Sequence, residues 1–426
     1  MREMKDSGVE WIGNSPVSWQ IQTIGSLFKV RNEKVNDTDY PPLSVTKNGI
    51  VPQMENVAKS DANDNRKMVL ANDFVINSRS DRKQSCGVSS LVGSVSLINT
   101  VLYPAKEVPL VPAYMNYLLK NYGFAEEFYR WGHGIVADLW TTRWQEMKSI
   151  LLPMPFMEEQ RQIIEILDKK MDDVDRLIGN VQKQIEKLKA YKQSLITEVV
   201  IKGIDSAVPM KDSCIDWIGE MPKHWEKLRV KYIGNTQNGI SKGGKYFGNG
   251  YPFVSYGDVY KNIELPSEVA GLVESTEIER ENYSVKKGDI FFTRTSETIE
   301  EVGFSSVCTE TIENATFAGF LIRLRPFNDA LTTQYAKYYF RGEHIRRYLV
   351  KEMNLVTRAS LGQGLLRAMT VLIPPHDEQI AIADFLDKKC AQIDRLIAIK
   401  QSKIEKLEQY KRSLIYEYVT GKKEVS

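Results

Sequence analysis

Leu167-Asp168-Lys169-Lys170, Asp175-Arg176-Leu177-Ile178 and Ile185-Glu186-Lys187-Leu188 are written a second time 219 residues later. The copies are Leu386-Asp387-Lys388-Lys389, Asp394-Arg395-Leu396-Ile397 and Ile404-Glu405-Lys406-Leu407. In the first copy Leu167, Met171, Val174, Ile178, Val181, Ile185, Leu188 and Leu195 alternate spacings of four and three, broken only by Lys192. The second runs Leu386, Cys390, Ile393, Ile397, Ile404, Leu407 and Leu414, with Lys400 and Lys411 as the exceptions. This is a heptad seam, the pattern by which two helices pack along their length. Pro153 and Pro155 stand ahead of one stretch and Pro374 and Pro375 ahead of the other; Gly179 is the only glycine in either. Helices of about 40 residues would make rods of about 60 Å. A seam alone would suit a dimerisation stalk. Two matched seams in one chain predict an intramolecular antiparallel pair, with globular units at opposite ends about a pseudo-twofold axis.

A second repeat lies further forward. Met4-Lys5-Asp6-Ser7-Gly8-Val9-Glu10-Trp11-Ile12-Gly13 recurs as Met210-Lys211-Asp212-Ser213-Cys214-Ile215-Asp216-Trp217-Ile218-Gly219, and Pro16 and Trp19 return as Pro222 and Trp225. This offset is 206, so the material between the repeats differs in length as well as in sequence. Two similar frames carry two dissimilar inserts, about 21–156 and 226–375. The inserts mix short β-rich runs, such as Phe74-Val75-Ile76-Asn77 and Asp289-Ile290-Phe291-Phe292-Thr293, with helical stretches at Ala113–Tyr122 and Thr333–Tyr348. The predicted class is α+β: two mixed globular domains joined by long antiparallel coiled-coil helices. The expected division is 1–156, a helix over 157–200, a linker at 201–209, a second domain over 210–375 and a second helix over 376–420.

The chain has 426 residues, 42% hydrophobic and 26% charged, enough to bury a sizeable core. No apolar run approaches the roughly 20 residues that span a bilayer, and the first residues lack the apolar stretch of a signal peptide. A cytoplasmic location is expected, with no membrane partner. Cys86, Cys214, Cys308 and Cys390 form no CxxC pair and the four histidines are scattered, so neither disulfides nor zinc are expected. The net charge of +2 is neutral on the choice of partner.

Further phrases complete the pattern: Glu159-Gln160 and Glu378-Gln379 open the helices, Trp-Ile-Gly precedes each insert, and Thr357-Arg358-Ala359-Ser360-Leu361 precedes Ile373-Pro374-Pro375. The ordered set, occurring twice, resembles the specificity subunits of type I restriction–modification systems across essentially the whole chain. The resemblance implies a non-catalytic subunit whose two variable domains each read one half of a gapped, asymmetric target in double-stranded DNA. It implies that the helices set the gap and dock two methyltransferase subunits, which would hold S-adenosylmethionine; this chain needs no cofactor. It leaves open two restriction–translocase subunits.

Base readout draws on Arg, Asn, Gln, Lys and Ser presented from turns, and phosphate contacts on Lys, Arg and backbone N–H groups. Ser78, Arg79, Ser80, Arg82, Lys83 and Gln84 follow one strand; Thr293, Arg294, Thr295 and Ser296 follow another. Gly87-Val88-Ser89-Ser90 and Gly303-Phe304-Ser305-Ser306 follow them, which suggests equivalent loops despite a one-residue slip. Lys47 and Asn48, and Ser255 and Tyr256 with Asp258, are further DNA candidates at strand ends. Lys242, Lys245 and Tyr246 lie in a glycine-rich loop suited to a phosphate backbone. Trp140, Arg143 and Trp144 are weaker candidates. Gly239–Lys245 matches the first seven positions of a P-loop, but Tyr246 stands where a magnesium-binding hydroxyl is required. No methyltransferase motif or nuclease carboxylate set accompanies it. The reading from another class is a coiled-coil adaptor with two protein-binding heads, which predicts little salt dependence of any DNA affinity.

Overall fold

The computed structural model describes residues 2–53, 65–106, 108–134, 140–296, 302–352 and 359–425. The chain forms two compact units, residues 1–182 with 401–426, and residues 183–400. The first unit contains β1 (Phe28–Val30), β2 (Phe74–Asn77), β3 (Cys86–Val88), β4 (Asn99–Pro104), α1 (Pro112–Lys120), α2 (Tyr122–Arg130) and the start of α3 (Met157–Lys202). The second contains β5 (Gly234–Asn238), β6 (Ile290–Thr293), β7 (Ser305–Val307), β8 (Leu321–Pro326), α4 (Thr333–Tyr339), α5 (Glu343–Glu352) and the start of α6 (His376–Val419). The units cut through both long helices, so each unit holds the first half of one and the last half of the other.

The inserts share almost no sequence, yet they build the same sheet. Its antiparallel order is β3-β2-β4-β1 in the first unit and β7-β6-β8-β5 in the second. The central strands are apolar on both faces, and strand alternation sends neighbouring residues into different cores. Phe74 and Ile76 join the core under the helices, whereas Val75 joins Val69, Val95 and Val101 behind the sheet. Ile290 and Phe292 divide from Phe291 in the same way. The helix expected at Ala113–Tyr122 is present but ends at Lys120, and the one expected at Thr333–Tyr348 is broken in two. Asn121 adopts an extended conformation and its side chain accepts from Phe124 N, capping α2. Arg341 and Gly342 separate α4 from α5.

The repeated phrases form the joint between frame and helix. Trp19 and Trp225 are both 1% exposed. Each indole Nε1 donates to a glutamate at the helix start, Trp19 to Glu159 Oε2 at 2.8 Å and Trp225 to Glu378 Oε2 at 2.9 Å. The other carboxylate oxygen takes Arg2 in the first unit and His224 in the second. Tyr117 and Tyr338 donate, both at 2.6 Å, to Asp168 and Asp387 of the Leu-Asp-Lys-Lys blocks. Gly8 and Cys214 both adopt positive φ, with their N–H groups held by Asp6 and Asp212.

The three lysines that interrupt the seam are its polar ties. Lys411 reaches Asp175 at 2.5 Å in the first unit. In the second, Lys192 reaches Asp394 at 2.6 Å and Lys400 donates to Gln184 at 2.6 Å. In the second unit the two ties run in opposite senses along the helices, 192 to 184 against 394 to 400, so its two helix segments are antiparallel.

His344 in α5 is fully buried, and among the described residues neither ring nitrogen has a hydrogen-bond partner. Burial, reinforced by the charge of Arg347, lowers its pKa to about 3, against 6.5 ordinarily. The unfolded chain therefore takes up a proton below pH 6.5 that the folded chain refuses until about pH 3, and stability falls as pH drops through that window. His344→Leu should flatten the acid limb of denaturant stability against pH by on the order of a few kcal/mol. An unchanged slope between pH 6 and 4 would remove His344 as its source.

Candidate nucleic-acid interface

In the first unit, the turn from β2 to β3 places Ser78–Gln84 at one end of the four-stranded sheet. Arg79 forms a β-bridge with Thr141, and Ser78 O accepts from Thr142 N at 3.0 Å, bringing the exposed Trp140 beside the loop. Asp81 lies 3.1 Å from Arg79 and 3.8 Å from Arg82, whose side chain is 68% exposed. Ser80 opens a single 3-10 turn with Asp81 and Arg82, and Gln84 takes a left-handed φ of 64°. Lys83 is drawn to Glu126 at 2.5 Å and lies over the Tyr129 ring. Lys47 and Asn48 form the exposed tip of a hairpin between Leu43–Thr46 and Gly49–Pro52. That tip lies near the loop, because Gly49 Cα packs where a side chain on Gly87 would come within 3.2 Å.

The second unit uses the same end of its sheet. Arg294, Thr295 and Ser296 leave β6; Thr295–Ser296 pairs with Ala359–Ser360, and Arg294 O accepts from Leu361 N at 2.7 Å. The bond from Leu361 matches the one from Thr142 to Ser78, so the two loops occupy equivalent places. Arg294 has no ion pair among the described residues. Ile240–Lys242 runs beside it: Ile240 bridges Ala318, Gly319 N donates to Ile240 O at 2.8 Å, and Arg294 N donates to Phe320 O at 2.9 Å. Thr357 and Arg358 lie outside the described residues.

Several polar groups expected at this surface are used within the fold. Ser78 is buried and shares a hydrogen bond with Thr100 at 3.0 Å; Thr293 is buried and its Oγ1 accepts from Phe304 N at 2.9 Å. Ser255 and Asp258 form a capping box on the short helix Tyr256–Lys261, with Tyr256 stacked on Tyr260. Lys242 donates to Glu279 at 2.7 Å and to Glu274 O, and this bond holds the Glu279 carboxyl below the usual carboxylate range. Lys245 is exposed, 5.0 Å from the Tyr246 ring centroid. Arg143 N is capped by Glu146, and Trp144 packs on the core. Sequence reading passed over Phe320, 64% exposed between Arg294 and Ser241. Its signal was weak, a lone aromatic after Gly319. Among the described residues no cluster of His, Cys, Asp and Glu could hold a metal, and no helix is long and apolar enough to cross a membrane.

A duplicated α+β frame that presents an equivalent loop from each half defines a two-headed binding protein. Residues 222–409 match the family model described as the type I restriction modification DNA specificity domain. The MjaX specificity subunit of Methanocaldococcus jannaschii, a putative type I restriction enzyme component, is 24% identical over 96% of this chain and 95% of its own length. The MjaVIII specificity subunit of the same organism is 26% identical over 65% of this chain and 62% of its own, and the EcoKI specificity subunit of Escherichia coli is 26% identical over 58% and 52%. The chain thus spans less than two thirds of the MjaVIII and EcoKI subunits. A chain solved in work on complex assembly and conformational transition of the type I R-M system shares the fold, with a TM-score of 0.69, 16% identity, and coverage of 95% of this chain and 98% of that one. Residues 222–409 thus carry a type I restriction modification DNA specificity domain, and the chain as a whole is similar to type I restriction enzyme specificity subunits.

Proposed function

We propose that each unit reads one half of a gapped, asymmetric duplex target from the sheet end that carries the β2–β3 or β6–β7 connection. One observation carries the reading: the same sheet end is built twice, on frames kept alike, with different side chains at the loops. Base-reading residues should differ where half-sites differ, whereas frame residues should not. Arg79, Arg82, Lys47 and Asn48 would serve one half-site, and Arg294, Thr295, Ser296 and Lys245 the other. The partners are double-stranded DNA and two methyltransferase subunits; restriction–translocase subunits would join the same assembly. The methyltransferases would hold S-adenosylmethionine and perform the chemistry, and no chemical step falls to this chain.

The test is co-expression with the methyltransferase, a map of modified adenines and titration of duplex binding against salt. Binding should weaken steeply with salt, as phosphate-driven association does, and the modified sites should share one bipartite sequence. Arg294→Ala should lower affinity about tenfold and relax one half-site only. Salt-insensitive binding with no shared sequence would instead support the adaptor with two protein-binding heads.

A further inference from the structure

We infer that the residue immediately before the fourth strand of each sheet, Ile98 in the first unit and Phe320 in the second, makes an apolar contact with the bases of its half-site. The inference rests on the proposed DNA reading and adds to it a contact of a different chemical kind. The β ladder fixes the equivalence. Asn77 pairs with Asn99 where β2 meets β4, and Thr293 pairs with Leu321 where β6 meets β8. One step beyond each pair, Ser78 and Arg294 begin the loops and Ile98 and Phe320 stand opposite them.

Both positions face water. Phe320 is 64% exposed; Ile98 is 39% exposed and follows Leu97 at 41%. Phe320 stands beside Arg294, a candidate DNA contact. Its carbonyl accepts from Arg294 N, and a side chain on Gly319 would meet Ser241 Oγ at 2.3 Å, so the Ser241 segment packs close. An apolar side chain beside an arginine with no ion pair among the described residues suits a duplex. The cation can address a phosphate or purine acceptors while the apolar group meets a thymine methyl or the edge of a base step. Single exposed apolar residues are ordinary on protein surfaces. Two at one topological position are a different matter, the more so because they are unlike residues in frames that keep Trp19/Trp225, Glu159/Glu378 and Asp168/Asp387 identical. That combination, an apolar character kept and an identity changed, is the pattern expected where two heads read different bases.

The test uses the full chain in its methyltransferase complex with Phe320→Ala, Ile98→Ala and a matched control, Phe327→Ala. Phe327 is 59% exposed and follows the opposite end of the same strand. Phe320→Ala should leave the melting temperature unchanged and the dependence of binding on salt intact, because no phosphate contact is lost. It should weaken binding to the cognate duplex about tenfold and broaden base choice in one half-site only. Ile98→Ala should broaden the other. Phe327→Ala should do neither. Cognate binding by Phe320→Ala within twofold of the parent, with an unchanged map of modified sites, would overturn the inference while leaving the two-headed reading standing. So would equal loosening by Phe327→Ala. A parent complex that selects no bipartite sequence would take down both.

Discussion

A complex in which residues 24–150 are replaced by the insert of another specificity subunit should modify a new target that keeps the original second half-site and spacer. Cognate affinity for the old first half-site should fall by about a thousandfold or more, the gap between specific and non-specific binding. The boundaries follow from the frame. Gln20–Thr23 pairs with Leu151–Met154, Thr23 opposite Leu151, so the insert leaves and returns through adjacent strands. Glu226–Arg229 and Thr370–Ile373 close the second insert in the same way. A graft inside those strands leaves the Trp19–Glu159 joint and α3 intact. Sequencing of modified sites checks the outcome, and a change in both half-sites would show that the heads do not read independently.

Gln379→Ala should destabilise the second unit by about 3 kcal/mol, and Gln160→Ala the first by a similar amount. Each glutamine is almost fully enclosed at a helix start. Gln379 Oε1 accepts from Thr332 N at 2.8 Å, and its Nε2 donates to Ala330 O at 2.8 Å and Pro374 O at 2.9 Å. Gln160 makes the matching set with Val111 N, Pro109 O and Pro155 O. Alanine removes all three bonds and strands a buried amide and two carbonyls, each worth roughly 1 kcal/mol or more. For units of this size that corresponds to a fall in melting temperature of about 6–12 °C. Calorimetry should show one transition shifted in each variant. A shift below 2 °C would mean that water replaces the glutamine and that the Glu-Gln phrase is held for another reason.

The long helices were legible because a heptad seam is a local, periodic signal. Leu167, Met171, Val174, Val181 and Ile185 are buried as their spacing implies. The Gly-x-Ser-Ser phrases after the loops proved a poor guide to their equivalence: the ladder sets Gly87 opposite Val75 and Ser306 opposite Phe291, so the phrases fall three residues out of register and the strands alone make the loops equivalent. The stop at Asn121 and the break at Arg341-Gly342 were missed, because apolar spacing continues across them while a cap and a turn redirect the chain. The usefulness of individual loop residues was not legible either. Ser78, Thr293, Ser255 and Lys242 have the right chemistry for DNA, but each is satisfied by a partner distant from it or set by a local cap.

From the residues alone followed the duplication, the two long helices, the division into like frames and unlike inserts, and the likeness to specificity subunits. These rest on patterns carried by neighbours in the chain: period, repeat and order. The fold decided that two unrelated inserts share one sheet, that the Glu-Gln and Trp phrases are internal joints, and that Phe320 stands in water while Ser78 does not. Burial is set by which distant strands and helices cover a side chain, and no local spacing encodes that.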